Sequence, residues 1–152
     1  MCDPIFGLYI IDANEKSNPQ VVGHIGSGAV SVAFKEIAGR DYAFVTDYIL
    51  PAGGFASGKL KVVDIEDPTS PVLIKEINVS GGGYSILLHG NYAYVGNRQG
   101  IYLFDISIPE ALRWLGYAST RGFVWSMGIY KDYLLVANSL GIDWLRAIPT
   151  QY

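Results

Sequence analysis

The chain has 152 residues, of which 50% are apolar and 16% are charged, and its net charge is −3. This composition supports a single folded domain and excludes a disordered chain. It contains no block of Lys or Arg, which argues against a nucleic-acid-binding surface. Gly, Pro or a charged residue interrupts every apolar stretch before it reaches the roughly 18–20 residues of a membrane-spanning helix.

Two strand-like phrases alternate along the chain. The first runs from a Gly through apolar residues to a polar one, as GLYIID from Gly7, GKLKVVD from Gly58, GIYLFD from Gly100 and GIDWLR from Gly141. The second is rich in Tyr and Val, as DYAFVTD from Asp41 to Asp47, NYAYVGN from Asn91 to Asn97 and DYLLVAN from Asp132 to Asn138.

Both phrases give the same repeat length. Tyr92 and Tyr133 stand 41 positions apart, and so do Asp64 and Asp105. A period of about 40–45 residues built from short strands is typical of β-propeller blades.

Each full unit is predicted to hold four antiparallel strands, which we name A, B, C and D in chain order. In the best-defined unit they are Gly82–His89, Tyr92–Asn97, Ile101–Ile106 and Ala111–Ala118. Asn and Gly mark the tight turns, and Pro with Asx residues marks the turn from C to D.

The predicted fold is therefore an all-β, partial β-propeller of about three blades. Its units are residues 1–27 (strands C and D), 28–81 (A to D), 82–121 (A to D) and 122–152 (A to C). Propellers usually have roughly four to eight blades. We thus expect either a piece of a longer propeller or a homodimer that closes a ring of about six blades. The piece is favoured because the first residues already lie inside a repeat.

The first interval is longer than the others. Asp12 and Asp64 stand 52 positions apart, against 41 for the next pair. Most of the excess falls in Tyr48–Lys59, between strands B and C, and a smaller part in the A-to-B turn Lys35–Asp41. Insertions in repeat proteins map to loops, often on the binding face.

These phrases resemble the LVIVD repeat family. VVDIEDPTSPVLI (Val62–Ile74) followed by YSILLHGNYAYVGN (Tyr84–Asn97) fits its pattern well, as does GLYIIDANEKSNPQVVG (Gly7–Gly23), whereas FDISIPEALRW lacks the Ser-Asn-Pro turn. The resemblance implies a bacterial or archaeal surface or secreted protein and brings no shared catalytic residues. A cell-surface or extracellular location rests on this resemblance only, since the N-terminus carries no signal-like segment.

Polar residues recur at the start of strand A and the end of strand B, which adjoin in an antiparallel pair. They are expected to ring one end of the propeller channel, and they are Ser31, Ser85, Ser126, Asp47, Asn97 and Asn138. One interpretation is structural, because Ser fits a crowded wall and Asx side chains satisfy turn amides. The other is a ligand-binding mouth with side walls formed by Tyr48, Phe55, Tyr84, Arg98 and Trp125. The structural interpretation is favoured.

Two further sets are expected to be structural. Trp114, Trp125 and Trp144 occupy different strand positions, which favours core packing over a repeated sugar-binding pocket. The strand-end carboxylates Asp12, Asp64 and Asp105 are expected to cap the turns from C to D.

Catalytic signatures are sparse. His24 and His89 have no metal-ligand spacing around them, and Gly26–Ser31 lacks the Lys of a phosphate-binding loop. We predict no catalytic residue, no metal and no cofactor. The predicted function is a non-enzymatic binding or scaffold module for an unknown protein or carbohydrate. The alternative is a portion of a propeller hydrolase or carbohydrate-binding enzyme whose catalytic residues lie partly on other blades.

Overall fold

A computed structural model describes residues 1–26, 28–49 and 56–147. These residues form antiparallel strands, with a single 3-10 turn at Pro109–Ala111 between two of them. The predicted all-β class is confirmed. No helix among the described residues is long and apolar enough to cross a membrane.

The strands form four separate sheets, each ordered as in the sequence. The first contains β1 (Cys2–Asp3), β2 (Gly7–Asp12) and β3 (Gln20–Ile25). The second contains β4 (Ser31–Ile37), β5 (Arg40–Thr46), β6 (Ser57–Asp64) and β7 (Val72–Ser80). The third contains β8 (Ser85–His89), β9 (Tyr92–Gly96), β10 (Gly100–Asp105) and β11 (Arg113–Ser119). The fourth contains β12 (Val124–Tyr130), β13 (Tyr133–Asn138) and β14 (Gly141–Arg146).

The sheets are arranged as successive propeller blades. The A strands contact one another across sheets, β4 with β8 and β8 with β12, as the inner strands of a propeller do. Two sheets are complete and two are partial.

Apolar side chains fill the spaces between the sheets. Phe44 and Leu60 pack against Phe104 between the second and third sheets, and Tyr94 packs with Val136 between the third and fourth. Successive residues of a strand face opposite sides of its sheet. β5, which lies between β4 and β6, is buried on both faces from Tyr42 to Thr46, and this burial explains its apolar run.

The predicted repeat register is confirmed. Tyr42 pairs with Asp64, Tyr92 with Asp105, and Tyr133 with Arg146, so each Tyr opposes the last residue of its C strand. The Tyr-Val phrases therefore occupy equivalent positions in three blades.

The strand-end aspartates cap their turns, as predicted. The Oδ1 atoms of Asp12, Asp64 and Asp105 each accept a hydrogen bond from the amide two residues later, at 2.9, 3.0 and 2.9 Å. The bond from the Ser107 amide is the largest cause lowering the pKa of Asp105. This geometry is the Asx turn, in which a side chain replaces a backbone acceptor.

Two details of the predicted strands are corrected. The first unit holds more than strands C and D, because Cys2 and Asp3 pair with Leu8 and Gly7 as a short B strand. The A-to-B turn of the second unit is not enlarged, since Ala38 and Gly39 both have positive φ (53° and 78°) and close a two-residue turn. The smaller part of the excess instead lengthens the two strands of this hairpin, because β4 and β5 have seven residues each and β8 and β9 have five. The larger part lies between β5 and β6.

The first and last sheets do not pair with each other within the described part of the chain. Their outer surfaces expose apolar side chains, including Val21 and Ile142, while Val22 and Ile25 are half-buried. Phe34 of β4, beside the partial first sheet, is 80% exposed. Apolar surface of this kind is typical of a contact region.

We therefore expect the chain, when produced by itself, to associate to species above its 16.6 kDa monomer mass. Light scattering as a function of concentration measures this directly. Phe34→Ser and Trp144→Ser should each reduce the association, because both side chains lie on surfaces that no described residue covers. A wild-type chain that stays monomeric at high concentration would contradict the expectation.

Candidate functional site

We call the end of the sheets where strands B and C connect the B–C end; it includes residues 47–49, 97–99 and 138–140. Asp47, Asn97 and Asn138 occupy equivalent places there and are buried. Their Oδ1 atoms accept hydrogen bonds from the amides of Lys59, Gln99 and Leu140, respectively. These side chains fix the B-to-C turns.

The second polar atom of each residue is also bound. Asp47 Oδ2 forms an ion pair of 2.6 Å with Lys61, whose Nζ also donates to the Gly28 carbonyl. Asn97 Nδ2 donates to the Ser80 carbonyl at 2.9 Å, and Asn138 Nδ2 donates to Asp143. These contacts support the structural interpretation of the three Asx residues.

The three serines differ from one another. Ser85 is buried, and its hydroxyl donates to the Val124 carbonyl at 3.1 Å, which links the third sheet to the fourth. Ser31 is half-buried and Ser126 is exposed. Their register positions are nevertheless equivalent, because Ser31 pairs with Thr46, Ser85 with Gly96 and Ser126 with Ala137, each one residue before an Asx.

Four aromatic side chains meet at the B–C end, and we call them the aromatic cluster: Tyr48, Tyr84, Phe123 and Trp125. The ring centroids of Tyr48 and Tyr84 are 4.8 Å apart. Tyr84 meets Phe123 and Trp125 edge-on at 5.5 and 6.0 Å. Phe123 and Trp125 lie nearly parallel, at 5.3 Å and 6°. Residues of the second, third and fourth sheets thus converge on one surface.

The expectation that the three tryptophans pack in the core is wrong. Trp114, Trp125 and Trp144 are 56%, 57% and 60% exposed. Trp114 is on the outermost strand of its sheet and Trp144 on the last strand of the partial fourth sheet. The exposure of Trp125 has a local cause. The β12–β13 register shifts between Val124 and Ser126, and such a bulge changes the direction of the side chain within it.

Arg98 borders the aromatic cluster. Its guanidinium carbon lies 5.0 Å from the Phe123 ring centroid, a cation–π distance. Three other arginines form ion pairs with aspartates, namely Arg40 with Asp64, Arg113 with Asp105, and Arg121 with Asp143. Among the described residues, Arg98 has no carboxylate partner.

Tyr84 is the most perturbed titratable group at the site. Burial raises the pKa of its phenol well above the usual 10, and a hydrogen bond with Tyr48 raises it further. Tyr84 is therefore neutral at physiological pH and serves as a hydrogen-bonding and packing group.

A polar cavity of about 450 Å³ lies beside Arg98, between the second and third sheets. We call it the polar cavity. It is lined by Ala56, Ser80, Gly81, Asn97, Arg98, Gln99, Tyr102 and Tyr117. Burial, and then the neighbouring Tyr102, raise the pKa of the Tyr117 phenol, while its hydrogen bond with Asn97 opposes them. No Asp or Glu is among these lining residues.

The structure thus brings together Tyr48, Tyr84, Arg98 and Trp125 from the predicted mouth. Phe55 lies outside the described residues. Sequence reasoning missed Phe123, Gln99 and Tyr117. The alternation of aromatic residues in Phe123-Val124-Trp125 was a usable signal for the first, but the other two are ordinary strand and turn residues in sequence.

Other reactive groups do not converge. In residues 1–26, 28–49 and 56–147, no three His, Cys, Asp or Glu side chains are placed so that they could hold a metal ion. His24 stacks on Tyr9 and its Nε2 bonds the Phe6 carbonyl at 2.7 Å. Burial raises the pKa of the Cys2 thiol, which disfavours the nucleophilic thiolate.

The LVIVD repeat model matches residues 37–79 and 80–116, more than half of the chain. The chain belongs to the LVIVD repeat family. The two matches cover most of the second sheet and much of the third, which include Tyr84 and Arg98, whereas Phe123 and Trp125 follow the matched segments. No curated protein matches this chain. Family membership therefore indicates a repeat module with propeller-like blades.

Proposed function

We propose that this LVIVD repeat chain is a non-enzymatic binding module of a propeller protein, and that its recognition surface is the B–C end. The observation that carries the proposal is the position of Trp125. A bulge turns it outward next to the rings of Tyr84 and Phe123, where 57% of it is exposed. Exposed aromatic groups beside a polar cavity are typical of recognition surfaces.

An exposed Trp gains little from folding, but it gains apolar burial when a partner covers it. Trp125 is held by Phe123 and Tyr84, so it loses little side-chain freedom on binding. The adjacent polar cavity supplies hydrogen-bonding groups that can orient a ligand.

We favour a binding function over a catalytic one because of the side chains that line the site. The described lining of the polar cavity has no His, Asp or Glu to act as a general acid or base, and the pKa of Tyr84 is raised rather than lowered. A carbohydrate or a protein is the proposed partner class. A cell-surface or extracellular setting is proposed from the family resemblance.

Trp125→Ala should weaken binding at least tenfold, since central aromatic anchors contribute about 2 kcal/mol or more. The measurement is binding of the purified chain to a carbohydrate array and a peptide array, followed by titration of the strongest probe. Trp144→Ala is the matched control, because Trp144 is equally exposed in the same sheet but packs with Tyr130 and Tyr133 away from the B–C end.

Equal weakening by both variants would show non-specific apolar adhesion and would overturn the proposed surface. Unchanged binding by Trp125→Ala would do the same. Absence of binding to both arrays would count against the binding function itself.

A further inference from the structure

We infer that the B–C end recognises an acidic sugar, with the carboxylate held at Arg98 in the polar cavity and a sugar ring packed on Trp125. This inference rests on the proposed function and names its ligand class. Each part of it comes from a different feature of the site.

The charge at the cavity is opposite to that of the chain. The protein carries a net charge of −3, which disfavours anions in general. Yet the described lining of the polar cavity contains Arg98 and no acidic side chain. The carboxylate of a ligand would balance the positive charge of Arg98, which no acidic residue of the described lining balances.

Arg98 is ready to accept a carboxylate. Arg40, Arg113 and Arg121 already pair with aspartates, whereas Arg98 lies against the Phe123 ring. Contact with a ring face does not require the N–H donors that a carboxylate takes in a two-pronged pair. Such charge-assisted pairs are stronger than neutral hydrogen bonds.

The loop that carries Arg98 is held in place. Asn97 Oδ1 accepts the Gln99 amide at 2.9 Å, and Asn97 Nδ2 donates to the Ser80 carbonyl. The Thr120 amide donates to the Gln99 carbonyl at 2.8 Å. A loop ordered in advance of binding loses less entropy when the ligand arrives.

The remaining groups fit a sugar better than a simple anion. Gln99, Ser80 and Tyr117 offer amide and hydroxyl groups to sugar hydroxyls. Trp125 offers an exposed aromatic surface for the C–H faces of a sugar ring. Phe123 contacts both Arg98 and Trp125, at 5.0 and 5.3 Å, so one oligosaccharide can reach both groups.

The experiment compares three probes by calorimetry at low salt: trigalacturonate, its fully methyl-esterified form, and the neutral trisaccharide maltotriose. The wild-type chain should bind trigalacturonate roughly 10- to 100-fold more tightly than the methyl ester, which lacks the negative charges. Arg98→Gln should abolish this preference. Arg98→Lys should retain a reduced preference, because Lys keeps the charge but not the planar pair of donors.

Arg146→Gln is the matched control, since Arg146 is an exposed arginine at the far end of β14 and the charge change is the same. It should leave the preference unchanged. Equal binding of trigalacturonate and its ester would overturn the inference, as would complete competition by acetate alone, which would indicate a bare anion site. If none of the three probes binds, the inference is also overturned.

The same titrations separate this inference from the proposed function. Trp125→Ala should weaken the binding of trigalacturonate and also the binding of any probe found on the arrays. Trp125→Ala could weaken the binding of trigalacturonate and of its ester equally while Arg98→Gln changes the binding of neither. That result would keep the B–C end as a binding surface and overturn only the acidic ligand class.

Discussion

Lys61→Met should destabilise the protein by about 3–5 kcal/mol, the range for breaking a buried ion pair by removing one partner. Lys61 and Asp47 are both buried, with a Nζ to Oδ2 distance of 2.6 Å. Without Lys61, the Asp47 carboxylate stays in the interior with the Lys59 amide as its remaining described donor. Urea unfolding followed by circular dichroism gives the change in the free energy of unfolding.

Two controls distinguish the buried charge from lost packing. Asp47→Asn with Lys61→Met removes both charges, so it should recover much of the lost stability. Lys59→Met breaks the ion pair of Lys59 with Glu76, which is partly exposed, and should cost about 1 kcal/mol or less. If Lys61→Met costs no more than Lys59→Met, the buried pair matters no more to stability than a surface pair.

The Asp or Asn that follows strand B has a different side-chain partner in each repeat. Asp47 pairs with Lys61, Asn138 donates to Asp143, and Asn97 donates to the Ser80 carbonyl. Lys61 and Asp143 lie opposite equivalent residues of their B strands, Val45 and Val136. Where the blade has Asp47, the facing residue is the cation Lys61, and where it has Asn138, the facing residue is the acceptor Asp143. The buried polar side chain therefore keeps a suitable partner in both blades.

Repetition explains how much the sequence could predict. The Tyr-Val phrase and the strand-end aspartates recur, so their register and their capping role could be predicted from the sequence. The grouping of Tyr84, Arg98 and Trp125 followed from placing equivalent strand ends at one edge of the propeller. These are properties that each blade shares with the next.

Features specific to one blade could not be predicted in this way. The bulge at Trp125 alters one residue in one strand, and it has no periodic signal. The exposure of Trp114 and Trp144 depends on which faces other sheets cover, and strand propensity does not encode this. The polar cavity forms between two sheets, so no single repeat contains its lining.

Gly96→Thr and Val124→Gly should each destabilise the protein, while the double variant should lose less than the sum of the two. A Cβ atom at Gly96 would lie 2.5 Å from Val124 Cγ1 and 2.4 Å from Ser85 Oγ, so a larger side chain overpacks this interface. We expect a cost of about 1–3 kcal/mol. Val124 is fully buried, and Val124→Gly should cost roughly 2–4 kcal/mol through the cavity and the added backbone freedom.

The preceding interface already contains the exchanged pair. There Thr46 takes the place of Gly96 and Gly83 the place of Val124, since a Cβ atom at Gly83 would lie 2.7 Å from the Thr46 Cβ. Ser31 pairs with Thr46 as Ser85 pairs with Gly96, so a serine fits beside the larger residue. The two interfaces therefore meet the same volume requirement with the large and small residues interchanged.

This exchange gives the double variant its expected result. Gly96→Thr with Val124→Gly places the Thr46–Gly83 combination between the third and fourth sheets, and the coupling between the two changes should be about 0.5–3 kcal/mol in the favourable direction. A double-mutant cycle by urea unfolding measures it. Strict additivity would mean that the sheets pack independently at this contact. Favourable coupling would mean that neighbouring blades are matched by side-chain volume, so that each blade can accept as its neighbour only a sheet with the complementary residue.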